Sequence, residues 1–165
     1  MPRRSGFPPR TRHDLDPLLC GAPASGGDTY WSSGYAGYET LDPQTQARIA
    51  NLSAVYVHRN PAYNPPTPPV HPLVCVHPET RRKTLFLSPS SAQSVVGLDE
   101  QSGRALLDEL YAHATQPQFV WRHQWRPGDL IMWDNRCTMH RRDSFDDSQR
   151  RYMRRTQVLG PITMA

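Results

Sequence analysis

The sequence predicts a mainly β fold with a few helices, such as a β-sandwich or jelly roll with helices packed on one face. Short segments rich in β-branched and aromatic residues recur along the chain between polar turns. Only two segments have a helical pattern, and they do not alternate with the strands as they do in β-α-β folds. The 165 residues suit one domain of ordinary size. We therefore expect a single α+β domain dominated by strands.

The strand patterns begin after a glycine turn, where Thr29, Tyr30 and Trp31 form the first aromatic and β-branched segment. Downstream, LVCVH and KTLFLS flank the polar turn HPETRRK, which predicts a β-hairpin. The intervening stretch RNPAYNPPTPPVHP predicts an irregular surface loop or lid, because proline removes the donors of a β-ladder. The remaining strand candidates cover 53–58, 119–125, 130–135 and 151–160.

Two helices are expected, each with its own start signal. Asp42 followed by Pro43 is an N-cap with proline in the first turn, which predicts a short helix that buries Ile49 and Leu52. Asp99 precedes a longer amphipathic segment, so a second helix is predicted there. The apolar stripe of that helix consists of Leu106, Leu107, Leu110, Tyr111 and Ala114.

Composition excludes several classes of protein. No apolar run approaches the length of a membrane-spanning helix, and the first residues lack the apolar core of a secretory signal, so the cytoplasm is the expected compartment and no membrane partner is expected. Cys20, Cys75 and Cys137 lie far apart, which argues against a disulfide framework and against a structural zinc site. They are predicted to be free thiols.

The formal charge of +4 comes almost entirely from arginine, since Lys83 is the only lysine among 19 basic residues. Genome composition and a requirement for bidentate capture of anions both explain such a bias. The basic stretch 141–155 is interrupted by aspartates and lacks interleaved stacking aromatics, so nucleic-acid binding is not expected.

The segment WDNRCTMHRRDSFDDSQRRYMRRTQ carries the most informative pattern in the chain. Arg151 and Arg155 are four residues apart, and an even separation places both side chains on the same face of a strand. Two guanidinium groups in one cavity are costly to desolvate unless an anion meets them. A solvated strand face is the alternative, and the nearby His140 favours a binding site over it.

Taken together, GGDTYWSSGYAGYE, HPETRRKTLF, VVGL, RPGDLIMWDNRCTMHR and RRYMRR resemble, in this order, the iron(II)- and 2-oxoglutarate-dependent dioxygenases of the taurine and 2,4-dichlorophenoxyacetate type. The resemblance runs from about residue 26 to residue 160. It implies a double-stranded β-helix, a cupin-like jelly roll, that holds Fe(II) with two histidines and one carboxylate. It also implies 2-oxoglutarate and O2 as co-substrates.

The resemblance assigns roles to particular residues. His140 matches a histidine ligand of the iron, and Thr29 with Arg151 matches the pair that holds the distal carboxylate of 2-oxoglutarate. Arg155 matches the position that meets the acidic group of the primary substrate. The segment 133–136, comprising Trp133, Asp134, Asn135 and Arg136, is expected to support the site without ligating the metal.

One part of the family's pattern is not found. An H-x-D motif supplies two iron ligands in the family, and its usual spacing places it about two dozen residues before GGDT, where this chain has Pro2, Arg3 and Arg4. His13, near Asp14 and Asp16, has the wrong spacing for a strand and is expected to be a loop residue. The other histidines, His58, His71, His77, His113 and His123, are expected to be structural or on the surface.

These observations predict a division at residue 26. Residues 1–25 are expected to be irregular and outside the match, and residues 26–165 are expected to be the C-terminal portion of a dioxygenase jelly roll that is incomplete. One protein ligand out of three predicts weak iron binding and little turnover by the chain as given. An open sheet edge also predicts self-association, for example as a homo-oligomer, or poor solubility.

The predicted function is therefore a 2-oxoglutarate-dependent dioxygenase that hydroxylates a small organic anion and releases succinate and CO2. A sulfonate, a sulfate ester and an aryloxy-carboxylate all fit as substrates. The alternative is a non-catalytic jelly-roll remnant that keeps the anion pocket without the metal. Restoration of an upstream H-x-D motif would decide between them.

Overall fold

The computed structural model describes the backbone of residues 12–21 and 25–159 and the side chains of residues 25–158. Within these ranges the strands form three sheets of three strands and one of two, and every strand pairing is antiparallel. The strands are β1 (Arg12–Gly21), β2 (Thr29–Ser33), β3 (Ser53–Tyr56), β4 (Val70–Pro72), β5 (Val74–Val76), β6 (Lys83–Leu85), β7 (Ala92–Val95), β8 (Val120–His123), β9 (Met132–Trp133), β10 (Thr138–Arg142) and β11 (Tyr152–Leu159). The α-helices are α1 (Gly34–Glu39), α2 (Pro43–Ile49) and α3 (Glu100–Ala114).

The sheet that carries most of the predicted site has the strand order β10-β2-β8. Trp31 of β2 pairs with His140 of β10, and Thr29 pairs with Arg142 of β10 and with His123 of β8. Residues that pair directly in a sheet project to the same face. Thr29, Trp31 and His140 therefore share one face of this sheet.

A second sheet brings the end of the chain to this region. Strand β11 pairs along its whole length with β1, whose other neighbour is β9. The period of two in β11 places Met153 and Arg155 on one face and Arg154 on the other. Met153 packs against the aromatic cluster around Trp31, so this face of β11 looks toward β2.

Helix α3 builds the main core, as its apolar stripe predicts. Asp99 accepts a hydrogen bond from the Ser102 backbone N–H and caps the helix. Leu106, Leu107 and Leu110 are fully buried, each contributing about 1.5–3 kcal/mol to folding. The shorter helix α2 is also confirmed, with Asp42 as its N-cap and Ile49 buried at its end.

The predicted hairpin is confirmed, and the proline-rich segment before it is partly regular. β5 pairs with β6, as the pattern predicted. The expectation of wholly irregular structure at 59–72 is wrong, because Pro61–Tyr63 forms a 3-10 turn and β4 pairs with β3. β4 is an edge strand in the order β4-β3-β7, where a proline is tolerated.

The expectation of an irregular segment up to residue 25 is wrong for residues 12–21. That stretch is strand β1, and its register shifts between Leu15 and Pro17, an irregularity that accommodates the residue without a backbone donor. His13 therefore lies on a strand instead of in a loop. Its side chain and those of Asp14 and Asp16 lie outside the described residues.

Helix α1 was not predicted, since its sequence GYAGYE contains two glycines. Ser33 caps it by accepting a hydrogen bond from the Ala36 backbone N–H. Gly34 is required by close packing, because a Cβ there would lie 2.7 Å from the carbonyl oxygen of Leu85. Among the residues with described placement, no helix has the length and apolar character needed to cross a membrane.

Candidate active site

The floor of the candidate site is a cluster of all four tryptophans of the chain. The buried indole of Trp31 lies at the centre, with ring centroids 5.3 Å from Trp121, 6.3 Å from Trp125 and 5.3 Å from Trp133. Ile131 and Met153 pack against the same cluster. The result is a rigid aromatic surface on the face shared by Thr29 and His140.

His140 lies at the exposed side of this surface. Its ring centroid is 5.2 Å from that of Trp133, and its side chain is open to solvent. Strand pairing with Trp31 fixes the backbone on which the imidazole is carried. An imidazole that is accessible and carried on a fixed backbone is suited to metal ligation.

Thr29 is buried beside the tryptophans, and its hydroxyl oxygen accepts a hydrogen bond of 2.9 Å from the Trp125 indole N–H. This bond leaves the hydroxyl hydrogen available to donate to an anion. The expected partner of that anion, Arg151, lies directly before β11.

Close packing of the backbone explains the first glycine of the GGDT motif. Gly26 forms an isolated bridge with Phe145, and a Cβ at Gly26 would lie 2.6 Å from the carbonyl oxygen of Ser144. Gly27 donates its backbone N–H to that carbonyl at 3.1 Å. The absence of a side chain at Gly26 thus lets the segment after β10 approach the segment before β2. This contact fixes the position of Thr29 relative to His140.

The two predicted arginines differ in environment. The Nε atom of Arg151 is buried and has no hydrogen-bond partner among the described residues. Burial lowers the pKa of Arg151, and the positive charge of Arg142 lowers it further. Arg155 is exposed, with its guanidinium carbon 6.0 Å from the ring centroid of Trp133. Arg151 is therefore the partly buried cation of the site and Arg155 the exposed one.

The structure brings three predicted residues to the tryptophan cluster. Thr29 contacts it through Trp125, whereas His140 and Arg155 both contact Trp133. Arg151 lies two residues before Met153, which packs on the cluster.

The described side chains do not supply a set of three metal ligands around His140. No described histidine, cysteine or carboxylate lies with His140 in a group of three potential ligands. His123, on the same face of the sheet, is hydrogen-bonded to Asp129 at 2.8 Å. The part of the chain that the structure describes therefore does not form a complete iron centre.

A group of three potential ligands, His77, Asp134 and Cys137, lies next to the site. Asp134 is already neutralised, because it accepts hydrogen bonds from His77 Nε2 at 3.0 Å and from Arg136 Nε at 3.0 Å. Burial raises the pKa of Asp134, but the hydrogen bonds from Arg136 and His77 outweigh it and hold the pKa well below its ordinary range. The Arg136 guanidinium supplies the positive charge that a metal ion would bring.

This ion-pair network supports the strand that carries His140. Thr138 Oγ1 donates to the carbonyl oxygen of Asp134 at 2.7 Å, and the Gly34 N–H donates to that of Cys137 at 2.8 Å. The turn before β10 is thereby fixed to α1. Sequence reasoning gave His77 no role in this network, although its HPET context was part of the resemblance.

Known proteins with similar sequences cover the same region. A sequence model described as "Taurine catabolism dioxygenase TauD, TfdA family" matches residues 18–157. A 2,4-dichlorophenoxyacetate dioxygenase of Cupriavidus pinatubonensis is 42% identical over 149 residues, which are 83% of this chain and 52% of that protein. An alkylsulfatase of Acinetobacter baylyi is 32% identical, and the match covers 86% of this chain and 50% of that protein. The chain thus spans about half the length of these curated relatives.

Solved structures agree with the sequence matches. The crystal structure of AAD-2 in complex with Mn(II) and N-oxalylglycine matches with a TM-score of 0.86 at 35% identity, covering 98% of this chain and 69% of that one. A taurine dioxygenase from Burkholderia xenovorans matches with a TM-score of 0.81 at 36% identity, covering 93% of this chain and 54% of that one. The strand-rich architecture described above is accordingly that of the dioxygenase jelly roll. On its sequence match and its fold, this chain belongs to the TauD/TfdA family of 2-oxoglutarate-dependent dioxygenases.

Proposed function

We propose that this chain belongs to an enzyme that uses Fe(II), 2-oxoglutarate and O2 to hydroxylate a small organic anion, releasing succinate and CO2. The observation that carries the proposal is the buried Arg151 Nε, which has no hydrogen-bond partner among the described residues and lies directly before the strand that packs on the tryptophan cluster. A desolvated guanidinium is costly unless an anion meets it. The distal carboxylate of 2-oxoglutarate is the anion we propose.

Thr29 and Arg151 bind that carboxylate together in this proposal. The Thr29 hydroxyl hydrogen is free to donate because its oxygen already accepts from Trp125. A guanidinium binds a planar carboxylate through parallel hydrogen bonds, and the burial of Arg151 Nε strengthens such an interaction. These two residues orient the co-substrate.

His140 is the proposed metal ligand, and Arg155 is the proposed partner of the substrate's acidic group. Both lie against Trp133, so a metal on His140 and an anion on Arg155 would share one aromatic wall. No group of three potential ligands among the described side chains includes His140, so we propose that the chain as given binds iron weakly.

An aryloxy-carboxylate is the substrate class we favour. Several relatives at 32–42% identity are named for such compounds, including 2,4-dichlorophenoxyacetate and (S)-phenoxypropionate. A flat aryl group suits the indole wall of Trp133, and its carboxylate suits the exposed Arg155. An alkyl sulfate is the second class to test, because one relative is named an alkylsulfatase.

Assays of the full 165-residue chain test the proposal. Fe(II), 2-oxoglutarate and a panel of aryloxy acids, sulfonates and alkyl sulfates are supplied, and succinate is measured together with hydroxylated product. Stoichiometric formation of both supports the enzyme. Binding of 2-oxoglutarate without succinate supports the alternative of a non-catalytic anion-binding jelly roll.

Iron binding is measured separately by anaerobic Fe(II) titration with 2-oxoglutarate, through the charge-transfer band of that complex. A weak band that His140→Ala abolishes is the expected result. Tight iron binding that His140→Ala leaves unchanged would refute the assignment of this residue.

A further inference from the structure

We propose that Arg142 is a second cation of the subsite that holds the distal carboxylate, acting with Arg151 and selecting dicarboxylates over monocarboxylates. This inference rests on the proposed function, since it concerns the same anion. No motif in the sequence assigned a role to Arg142, which directly follows Arg141 in a run of basic residues.

The strand register directs Arg142 toward the site. Arg142 pairs with Thr29 across β10 and β2, so the two side chains project to the same face of the sheet. The neighbouring Arg141 projects to the opposite face, where its guanidinium lies 4.0 Å from the ring centroid of Tyr30. Of these two arginines, only Arg142 is on the side of the tryptophan cluster.

The segment after Arg142 is fixed to the GGDT turn. The Asp143 N–H donates to the Asp28 carbonyl at 2.9 Å, and Phe145 bridges to Gly26. The guanidinium of Arg142 lies 4.8 Å from the ring centroid of Phe145, within the range of a cation-π contact. Phe145 thus limits the freedom of an exposed side chain whose backbone pairs with Thr29.

The acidic groups nearby are paired with other arginines. Asp28 is bonded to Arg122, and Asp143 is bonded to Arg141. No ion pair joins Arg142 or Arg151 to an acid within the described part of the chain, and the positive charge of Arg142 contributes to the lowered pKa of Arg151. Two like charges without an acidic partner among the described side chains favour an anion that can contact both.

This arrangement has a consequence for selectivity. One guanidinium can bind a single carboxylate, whereas the combined field of two also favours a second negative charge on the same molecule. Removal of Arg142 is therefore expected to reduce the affinity for 2-oxoglutarate more than the affinity for a monocarboxylate.

Tryptophan fluorescence provides a direct measurement, because all four indoles lie at the site. The metal-free full chain is titrated with 2-oxoglutarate, glutarate and acetate at low and moderate salt. The variants are Arg142→Gln, Arg142→Lys and Arg151→Gln. Arg154→Gln is the matched control, since it removes one positive charge from the opposite face of β11.

Arg142→Gln should raise the Kd for 2-oxoglutarate and glutarate about tenfold, as expected for loss of one charge-assisted contact at an exposed position. The Kd of Arg142→Gln for 2-oxoglutarate should also depend less on salt concentration than that of the unchanged chain. Arg142→Lys should retain part of the affinity for 2-oxoglutarate. The Kd of Arg154→Gln should stay within twofold of that of the unchanged chain. This inference alone would be refuted if the Kd of Arg142→Gln for 2-oxoglutarate stayed within twofold of that of the unchanged chain while Arg151→Gln lost 2-oxoglutarate binding. Absence of 2-oxoglutarate binding by the unchanged chain would overturn both this inference and the proposed anion site.

Discussion

Replacement of Asp134 by alanine should be one of the most destabilising single changes next to the site. Arg136 is only 2% exposed and donates to both carboxylate oxygens of Asp134 through Nε at 3.0 Å. Its other acidic partner, Glu79, is 71% exposed and cannot neutralise the buried charge with comparable effect. Removing one partner of a buried ion pair costs about 3–5 kcal/mol. Because Asp134 itself is 25% exposed, the lower end, about 3 kcal/mol, is expected.

Urea unfolding followed by tryptophan fluorescence measures this loss, compared with Glu79→Ala and Glu39→Ala. Glu39 forms a bidentate pair with Arg82 in which both side chains are about half exposed, so its removal should cost below about 1 kcal/mol. If Asp134→Ala fails to fold, Asp134→Asn, which keeps the shape of the side chain, provides the comparison. The argument that burial of Arg136 makes its pair with Asp134 strongly stabilising would be refuted if both Asp134 variants lost no more free energy of unfolding than Glu39→Ala.

Further predictions concern pH, packing, the site and thiol reactivity. Folding lowers the pKa of Asp134, so its ion pair stabilises the folded chain at neutral pH. The difference in the free energy of unfolding between the unchanged chain and Asp134→Asn should therefore narrow as the pH falls below about 4, as measured by equilibrium unfolding. Gly34→Ala should lower the melting temperature because its Cβ would meet Thr84 Oγ1 and the Leu85 carbonyl, whereas Gly37→Ala in the same helix meets only ordinary contacts and should be close to neutral. Trp125→Phe removes the donor to Thr29 and should weaken 2-oxoglutarate binding several-fold in calorimetry, and an unchanged Kd would show that this bond does not orient the hydroxyl. Burial raises the pKa of Cys75 to about 11, so its alkylation at pH 8, followed by peptide mass spectrometry, should be at least about a hundredfold slower in the folded than in the unfolded chain.

The elements that sequence reasoning found are those with strong local signals. Asp42 and Asp99 each begin a helix because a carboxylate accepts a backbone N–H of the first turn wherever the chain continues as a helix. The hairpin of β5 and β6 follows from two apolar segments around a polar turn. Such signals depend on residues that are close in the sequence, so they can be recognised without knowledge of the fold.

The elements that it missed depend on distant partners. Strand β1 contains polar residues and a proline, and it is regular because β11 and β9 pair with it. Helix α1 contains glycines that look like turn residues, and one of them, Gly34, serves instead to let Thr84 and the Leu85 carbonyl approach closely. Local propensity cannot reveal a contact across the chain.

For the candidate site, the order of residues along the chain shows which chemical groups are available: an imidazole at His140, a hydroxyl at Thr29 and guanidinium groups at Arg151 and Arg155, in the order typical of one enzyme family. How these groups are held follows from the fold. Strand register and packing reveal that the tryptophans form one surface, that Arg151 Nε is buried and that Arg142 shares a face with Thr29. The physical reason is that burial and charge pairing are properties of neighbours in space, which the order of residues along the chain does not specify.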